Sequence, residues 1–321
     1  GHLPHLPGGG GMSGPILVEV TRGGIVESAH RGAAAVVDAD GRIVLAIGDV
    51  DRPVFPRSAV KGMQALALVE SGIAEKLALS EAELALCCAS HSGEPAHVAT
   101  ASSMLAKAGR DGAALECGAH WPNVIGEAAQ KLAATGARPT ALHNNCSGKH
   151  SGMVCLACGS GVVPRGYIAR EHFVQRRIAG VLAEVTGAPT DASAPCGIDG
   201  CSIPSFAFPL RALALGFARF GTGRGMSADR AQASATLRAA VAKNPFMVAG
   251  TDRFDTQVMG SFGARLFCKT GAEGVHCAAL PDQGLGIAVK AEDGAGRASQ
   301  VMMAALLARF LPMDANEAAR L

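Results

Sequence analysis

The sequence has few aromatic residues, little excess charge and no long apolar run, and each shortage excludes a class of protein. Aromatic side chains make up 4% of the 321 residues, with one tryptophan, Trp121, and one tyrosine, Tyr167, so platforms for stacking nucleic-acid bases are not expected. The formal net charge is only +2, which gives no electrostatic case for binding nucleic acid or an anionic membrane. No apolar run approaches the roughly 20 residues that a membrane span requires.

A secretory signal segment is also missing from the beginning of the sequence. Residues 1–11 contain Gly, Pro and His without periodicity, and we interpret them as an added leader in front of a native start at Met12. Without a signal segment, the ten cysteines are expected to be reduced thiols of a cytoplasmic protein, and not a disulfide framework.

What the sequence does contain is the composition of a compact enzyme. It is 49% hydrophobic and 17% charged, and its 41 glycines are typical of tight turns and close packing. The length supports one large domain or two closely packed subdomains. We see no internal repeat and no low-complexity linker.

Apolar periodicity predicts strands at both ends of the chain and helices between them. An Asp40-Gly41 turn between apolar runs is a strong hairpin signal. The predicted strands cover Ile16 to Val20, Ile25 to Ser28, Gly32 to Val37, Ile43 to Ile47, Gly263 to Cys268, Val275 to Leu280 and Gly284 to Ala291. The predicted helices cover Arg57 or Ser58 to Glu70, Glu81 to Cys88, Pro95 to Ala108, His150 to Cys158, Arg165 to Thr186, Ala228 to Lys243 and Arg297 to Phe310.

This order predicts an α/β (α+β) fold with one antiparallel sheet built from both ends of the chain and covered by terminal helices. We expect one domain over 12–321. Its sheet subdomain would comprise about 12–60 and 250–321, and a mainly helical subdomain of about 61–249 would be inserted between them.

An S-x-x-K motif is the first candidate for chemistry. Ser58 and Lys61 lie three residues apart, so on a helix they share a face and their side chains can come within hydrogen-bond reach. A serine hydroxyl needs an adjacent base to become a nucleophile, and a desolvated lysine can serve. A helix-capping serine followed by a solvated lysine fits the same short motif.

A K-T-G motif, Lys269 to Gly271, follows near the C-terminal end between predicted strands. S-x-x-K early and K-T-G late is the order found in serine β-lactamases and penicillin-binding proteins. A hairpin turn with an exposed lysine remains the alternative interpretation.

Two polar, glycine-containing segments, residues 143–153 and 195–204, complete the candidates. The first is typical of a loop entering a helix, where backbone N–H groups can face an anion. The second adds a carboxylate and two thiols. The C-x-x-C pair Cys155 and Cys158 has no partner motif and lies in a predicted apolar helix, so we interpret it as structural.

Taken together, these segments resemble the asparaginase II family, typified by the inducible thermolabile L-asparaginases of rhizobia. The resemblance covers Pro15 to Phe310. The matching motifs are Arg57-Ser58 with Lys61, Ala89 to Glu94, Asn145 to His150, Asp199 to Cys201, and Lys269 with the Gly-Ala-Glu-Gly that follows. The family's fold is similar to that of serine β-lactamases and glutaminases, in agreement with the predicted terminal sheet and helical insert.

The resemblance implies hydrolysis of L-asparagine to L-aspartate and ammonia by a homodimeric enzyme. It implies two catalytic Ser–Lys pairs, Ser58 with Lys61 and Ser90 with Lys269. It also implies a Zn²⁺ ion bound by Cys146, Lys149 and Cys201. The substrate-binding residues expected from it are Arg57, His91, Asn145, His150, Asp199 and Gly200.

Other functions are compatible with parts of the pattern. A glutaminase differs in its substrate by one methylene, which the sequence does not address. A β-lactamase or penicillin-binding enzyme would also need an S-x-N triad, and the sequence contains no Ser-Asp-Asn. A non-catalytic metal-binding module would explain the cysteines but not the combination of S-x-x-K with K-T-G.

Overall fold

The computed structural model describes residues 14–122 and 127–321. The proposed leader at 1–11 and the proposed start at Met12 lie outside the described residues. The strands are β1 (Ile16–Arg22), β2 (Ile25–Asp38), β3 (Ile43–Ile47), β4 (Pro53–Val54), β5 (Cys196–Ile198), β6 (Pro204–Phe206), β7 (Phe208–Pro209), β8 (Phe267–Gly271), β9 (Val275–Leu280) and β10 (Leu285–Ala291).

Helices fill most of the chain between β4 and β8. The α-helices are α1 (Lys61–Glu70), α2 (Ile73–Lys76), α3 (Glu81–Cys87), α4 (Pro95–Lys107), α5 (Ala128–Ala134), α6 (Ser147–Gly159), α7 (Phe173–Thr186), α8 (Leu210–Thr222), α9 (Ala228–Lys243), α10 (Pro245–Val248), α11 (Phe254–Phe262), α12 (Gly296–Phe310) and α13 (Ala315–Ala318). In the described part of the chain, no helix is long and apolar enough to cross a membrane.

The main sheet is antiparallel and has the order β1-β2-β10-β9-β8, with β3 also paired to β2. It therefore combines strands from both ends of the chain, and the predicted fold class is confirmed. The two N-terminal runs predicted as separate strands form one 14-residue strand, β2. That strand continues without a break because its first half pairs with β1 and its second half pairs with β10 and β3.

The core lies on both faces of this sheet. Every residue of β9 is buried, and so is the Ala33–Val37 stretch of β2, which requires a cover on each side. Helix α8 packs against β10, β2 and β9, and α12 packs against β10 and β9. We predicted α12 but no helix at α8, where Gly216 and Gly221 lower the intrinsic helix propensity. Burial of its apolar face against the sheet outweighs that cost.

Three element boundaries differ from the predictions in ways that affect the site. Helix α6 begins at Ser147, three residues earlier than predicted, so Lys149 lies in its first turn. Helix α7 begins only at Phe173, because the His172 side chain accepts the Val174 N–H and caps it there. The strand predicted at Gly263 to Cys268 begins at Phe267 after a short 3₁₀ turn, which places Lys269 inside β8.

All ten cysteines belong to the described residues, and each is a free thiol. Cys155, from the C-x-x-C pair, is fully buried, and its Sγ donates to the Met104 carbonyl at 3.5 Å. It therefore packs as a small core residue.

Candidate active site

Ser58 lies in a strained turn at the entrance to the helical region. Residues Arg57–Val60 form a 3₁₀ turn that continues directly into α1. Arg57 has φ +51°, in the left-handed region that non-glycine residues rarely occupy. Strain of this kind persists where the surrounding structure enforces it, often beside functional groups. The Ser58 side chain is half-buried and so remains within reach of solvent.

The K-T-G strand lies directly against this turn. A Cβ atom added at Gly271 would lie 2.4 Å from the Pro56 carbonyl oxygen and 3.2 Å from the Ala59 nitrogen. Only glycine fits at that distance, so the third residue of K-T-G allows β8 to pack beside the serine-bearing turn. The motif is therefore part of the sheet, and the interpretation as an exposed hairpin turn is wrong.

Two buried lysines share one serine hydroxyl beside this turn. Lys61 Nζ lies 2.9 Å from Ser90 Oγ and also donates to the Ala89 carbonyl at 2.6 Å. Lys269 Nζ lies 2.9 Å from the same Ser90 Oγ and donates to the Thr270 carbonyl at 2.7 Å. Both lysines are completely buried, and Ser90 is 6% exposed. The arrangement links Lys61, Ser90 and Lys269 in one continuous chain.

The expected Ser90–Lys269 contact is present, whereas the expected hydrogen bond between Ser58 and Lys61 is not formed. Within residues 14–122 and 127–321, no hydrogen bond joins Ser58 Oγ to Lys61 Nζ. The Lys61 side chain instead reaches the segment that follows α3, where the Ala89 carbonyl and the Ser90 hydroxyl accept its N–H groups.

The pKa values of both lysines are lowered. Burial is the largest cause for Lys61, and the nearby Lys149 ammonium adds to it, while the Cys146 thiolate acts in the opposite direction. Burial also lowers the pKa of Lys269, and the charge of Lys61 lowers it further, to about 7. An amine with the pKa of Lys269 can exchange protons near neutral pH, which is what a general base requires.

The three residues predicted to bind zinc lie together next to the hydrogen-bonded chain of Lys61, Ser90 and Lys269. Lys149 Nζ donates to Cys201 Sγ at 3.1 Å, and Cys146, Lys149 and Cys201 are each at most 6% exposed. A hydrogen bond from the Cys201 thiol is the main cause that lowers the pKa of Cys146 well below its usual value. Burial opposes ionisation of Lys149, but the two sulfur groups outweigh it and raise the pKa of this lysine. The three side chains thus form a thiolate–thiol–ammonium cluster.

A cavity of about 490 Å³ opens in front of the strained turn. Its lining residues include Arg52, Phe55, Arg57, Ile198, Glu273 and Lys290. Arg57 forms an ion pair with Asp199 at 2.9 Å, and the Asp199 carboxylate also accepts the Gly200 N–H. Arg57 thus lines the cavity, and the ion pair holds the Asp199 carboxylate beside this lining residue.

The other residues predicted to bind substrate make internal contacts. His91 is buried, and its Nε2–H donates to Ser147 Oγ at 2.8 Å, since its Nδ1 accepts the Gly93 N–H. His150 is also buried, and its Nδ1 lies 2.6 Å from the Tyr167 hydroxyl. The Asn145 backbone N–H donates to His120 Nε2. These contacts order the segment that carries Cys146 and Lys149.

Sequence reasoning did not single out two further polar residues near Lys269. Asp255 in α11 and His276 in β9 are buried, with His276 Nε2 2.7 Å from Asp255 Oδ1. Asp255 Oδ2 accepts the N–H of Thr270, the residue that follows Lys269. No motif spacing connects these positions, so only the fold could reveal the contact.

Comparison with known proteins supplies a family and a fold. A family described as L-asparaginase II matches residues 18–321. None of the curated proteins matches this chain.

Two solved structures of Mglu share the fold with a TM-score of 0.50 and 16% sequence identity. One, in its native form, matches over 89% of this chain and 66% of its own. The other, in an L-glutamate binding form in 4.3 M NaCl, matches over 91% of this chain and 62% of its own. This chain therefore spans less than two thirds of the length of either. A β-lactamase from Mycobacterium bovis, Mb2281c, matches over 88% of this chain and 95% of its own, at 16% identity and with a TM-score of 0.46.

Proposed function

We infer the function from one premise, that the chain belongs to the L-asparaginase II family, whose match covers residues 18–321. It is accordingly an amidohydrolase, and we propose L-asparagine as the substrate, hydrolysed to L-aspartate and ammonia. The observation that carries the proposal is the Lys61–Ser90–Lys269 chain, in which two buried amines of lowered pKa share one hydroxyl.

In this proposal, Ser58 is the nucleophile. Ser58 is half-buried and follows Arg57, which lines the cavity, whereas Ser90 is 6% exposed and already bonded to both lysines. Ser58 Oγ attacks the side-chain amide carbon of asparagine and gives its proton to neutral Lys61. The tetrahedral intermediate then expels ammonia, which takes up a proton as the C–N bond breaks. A water molecule hydrolyses the resulting β-aspartyl ester and regenerates the Ser58 hydroxyl.

Ser90 and Lys269 would move protons during these steps. A proton accepted by Lys61 can pass through the Ser90 hydroxyl to Lys269, because each neighbouring pair of atoms is separated by 2.9 Å. The pKa values of both lysines are lowered, so each amine gives up a proton more readily than an ordinary lysine. Such a relay would allow the site to give a proton to the leaving ammonia and regain one from the attacking water.

The residues expected to bind zinc fit that ion chemically. Two sulfur ligands and a nitrogen ligand are donors that Zn²⁺ accepts, and Cys146, Lys149 and Cys201 are already in one buried cluster. We propose that they hold a Zn²⁺ ion, which when bound supplies a positive charge that polarises a substrate oxygen. Without it, Lys149 serves as the counter-ion of the Cys146 thiolate, so zinc binding must displace the Lys149 proton.

Arg57 and Asp199 are proposed to bind the two charged groups of the amino acid. Arg57 offers a guanidinium to the α-carboxylate, and Asp199 offers a carboxylate to the α-ammonium group. Glutamine is the second candidate substrate, because the Mglu structure of similar fold is described as an L-glutamate binding form. One methylene changes binding by only about 1–3 kcal/mol, so the preference for asparagine is a quantitative question.

The test is ammonia release from L-asparagine and L-glutamine, measured with a coupled assay, alongside hydrolysis of a chromogenic cephalosporin. We expect the highest kcat/KM for asparagine and no cephalosporin turnover. Faster cephalosporin hydrolysis would overturn the assignment in favour of a β-lactamase. Absence of both activities in zinc-loaded protein would favour the metal-binding module.

The predicted homodimer, the cytoplasmic location and the division into a sheet subdomain and a helical subdomain stay predictions. Light scattering on the purified protein measures the oligomeric state directly.

A further inference from the structure

A buried polar cluster lies on the far side of Lys269 from Ser90. It contains Asp255, Cys268 and His276, which are at most 2% exposed. His276 Nε2 lies 2.7 Å from Asp255 Oδ1 and 3.4 Å from Cys268 Sγ, and Cys268 Sγ lies 3.8 Å from Asp255 Oδ1. Three side chains of these types could in principle hold a metal ion.

The nitrogen and the oxygen are separated by a hydrogen-bond distance, which is shorter than their spacing around a bound ion. Zinc binds these atoms at about 2.0–2.2 Å, so a tetrahedral site would hold them roughly 3.3 Å apart. The observed separation of 2.7 Å is that of a hydrogen bond. The carboxylate therefore accepts directly from the imidazole Nε2–H, while His276 Nδ1 is buried without a hydrogen-bond partner among the described residues.

The Asp255 carboxylate connects three elements around the catalytic lysine. Its Oδ1 accepts from His276 in β9, and its Oδ2 accepts the Thr270 N–H of β8 at 2.8 Å. Thr270 and His276 are cross-strand partners, so one carboxylate of α11 holds both members of this pair. The Thr270 carbonyl in turn receives the Lys269 amine at 2.7 Å. Asp255 thus fixes the residue on which the Lys269 side chain rests.

Asp255 also supplies the stronger of two negative charges that act on Lys269, the weaker one coming from Cys146. Burial raises the pKa of Asp255, but His276, Lys269 and the Thr270 N–H outweigh it and hold the pKa below its usual value. A buried carboxylate therefore interacts electrostatically with the lysine. The charged and titratable groups around Lys269 are Lys61 of α1, Cys88 after α3, Cys146 before α6, Arg253 and Asp255 at the start of α11, Cys268 of β8, and His276 and Cys277 of β9.

We propose that Asp255, oriented by His276, is a positioning residue that holds β8 where Lys269 reaches Ser90 and provides the counter-charge for the ammonium form of that lysine. The proposal rests on the function given to Lys269 above. It adds a residue to that function, because a nearby carboxylate favours the protonated form of a lysine that burial and a second lysine disfavour.

Asp255→Asn removes the negative charge near Lys269 but retains hydrogen bonds to Thr270 and His276. The asparagine oxygen can accept the Thr270 N–H, and its amide can donate to His276 in the other tautomer. The titration of Lys269 is followed by NMR in ¹³C-lysine-labelled protein, with Lys269→Met used for assignment and equal zinc content in all samples. We expect the Lys269 midpoint to fall by about one pH unit. The matched control is Glu83→Gln, a buried carboxylate that pairs with Lys107, and it should leave the midpoint unchanged.

If Asp255→Asn does not fold, the Asp255→Asn/His276→Gln variant replaces the pair with two amides that can hydrogen-bond each other, and the same downward shift is expected. An unchanged Lys269 midpoint in the folded single or double variant would overturn the inference. The NMR readout does not require turnover, so its result stands apart from the fate of the proposed function. A shifted midpoint in a protein that hydrolyses no amide would support the inference and reject the function.

Discussion

Among the described residues, three lysines are buried within one connected region, and their pKa values are shifted in opposite directions. Lys61 and Lys269 face each other across Ser90, and the pKa of each is lowered. Lys149 is 5% exposed, yet its pKa is raised because Cys146 and Cys201 lie against it. Neighbouring charge, and not burial alone, therefore decides which lysine is a base and which is a counter-ion.

The comparison also separates two kinds of chemistry in one site. Neutral amines at Lys61 and Lys269 can accept protons from a hydroxyl. A charged Lys149 beside a thiolate must lose its proton before it can bind a metal, which couples zinc binding to pH.

The largest effect is expected from removing either base. Lys61→Met and Lys269→Met keep the apolar stem but remove the amine, so kcat for asparagine should fall by about 10³-fold. Lys61→Arg and Lys269→Arg should be equally inactive, since arginine cannot be deprotonated. Steady-state ammonia assays measure the loss, with the exposed Lys76→Met as the control. A Lys269→Met enzyme with wild-type kcat would show that the K-T-G lysine has no part in the reaction.

The second-largest effect is the loss of zinc affinity expected when Lys149, Cys146 or Cys201 is replaced. Cys146→Ser, Cys201→Ser and Lys149→Met should each lower zinc affinity by at least about tenfold to a hundredfold. Zinc addition to the wild-type protein should release protons in weakly buffered solution, because Lys149 is charged beforehand. Competition with a chromogenic chelator measures the affinity.

Cys158→Ser is the matched control for zinc binding, because Cys158 is half-buried in the C-x-x-C pair and lies outside the cluster. Stoichiometric zinc in Cys146→Ser/Cys201→Ser protein would contradict the assignment.

The smallest effect is on stability, and its magnitude depends on pH. The pKa of Lys269 is about 7 in the folded protein against 10.5 for the ordinary group. Between these values the unfolded chain holds a proton that the folded protein lacks, so this lysine makes stability rise with pH. Below about 7 the folded protein bears the full cost of the buried charge. Lys269→Met should therefore raise Tm most at acidic pH.

Calorimetry from pH 6 to pH 10 follows the difference in Tm between Lys269→Met and the wild type, which should shrink as pH rises from about 7. The exposed Lys76→Met provides the baseline. A Lys269→Met protein that is less stable than the wild type at pH 6 would contradict the lowered pKa.

The sequence alone predicted the sheet well because its strands alternate or are uniformly apolar, and Asp40-Gly41 marks a tight hairpin. It did not predict α8, whose glycines oppose a helix until the sheet covers them. The S-x-x-K spacing predicted a Ser58–Lys61 contact, since helical periodicity is local. The contact to Ser90 depends instead on how the end of α3 packs beside α1, and no local rule contains that information. Asp255 and His276 were missed for the same reason.

Identification of the serine that carries the acyl group is the decisive test of Ser58 as the nucleophile. Wild-type protein is mixed with L-asparagine, quenched in acid within milliseconds, digested and examined by mass spectrometry. The proposed mechanism predicts a β-aspartyl ester on the peptide that contains Ser58, absent in Ser58→Ala and present in Ser90→Ala at a lower rate of formation. An ester on Ser90, or rapid ammonia release by the Ser58→Ala protein, would contradict it.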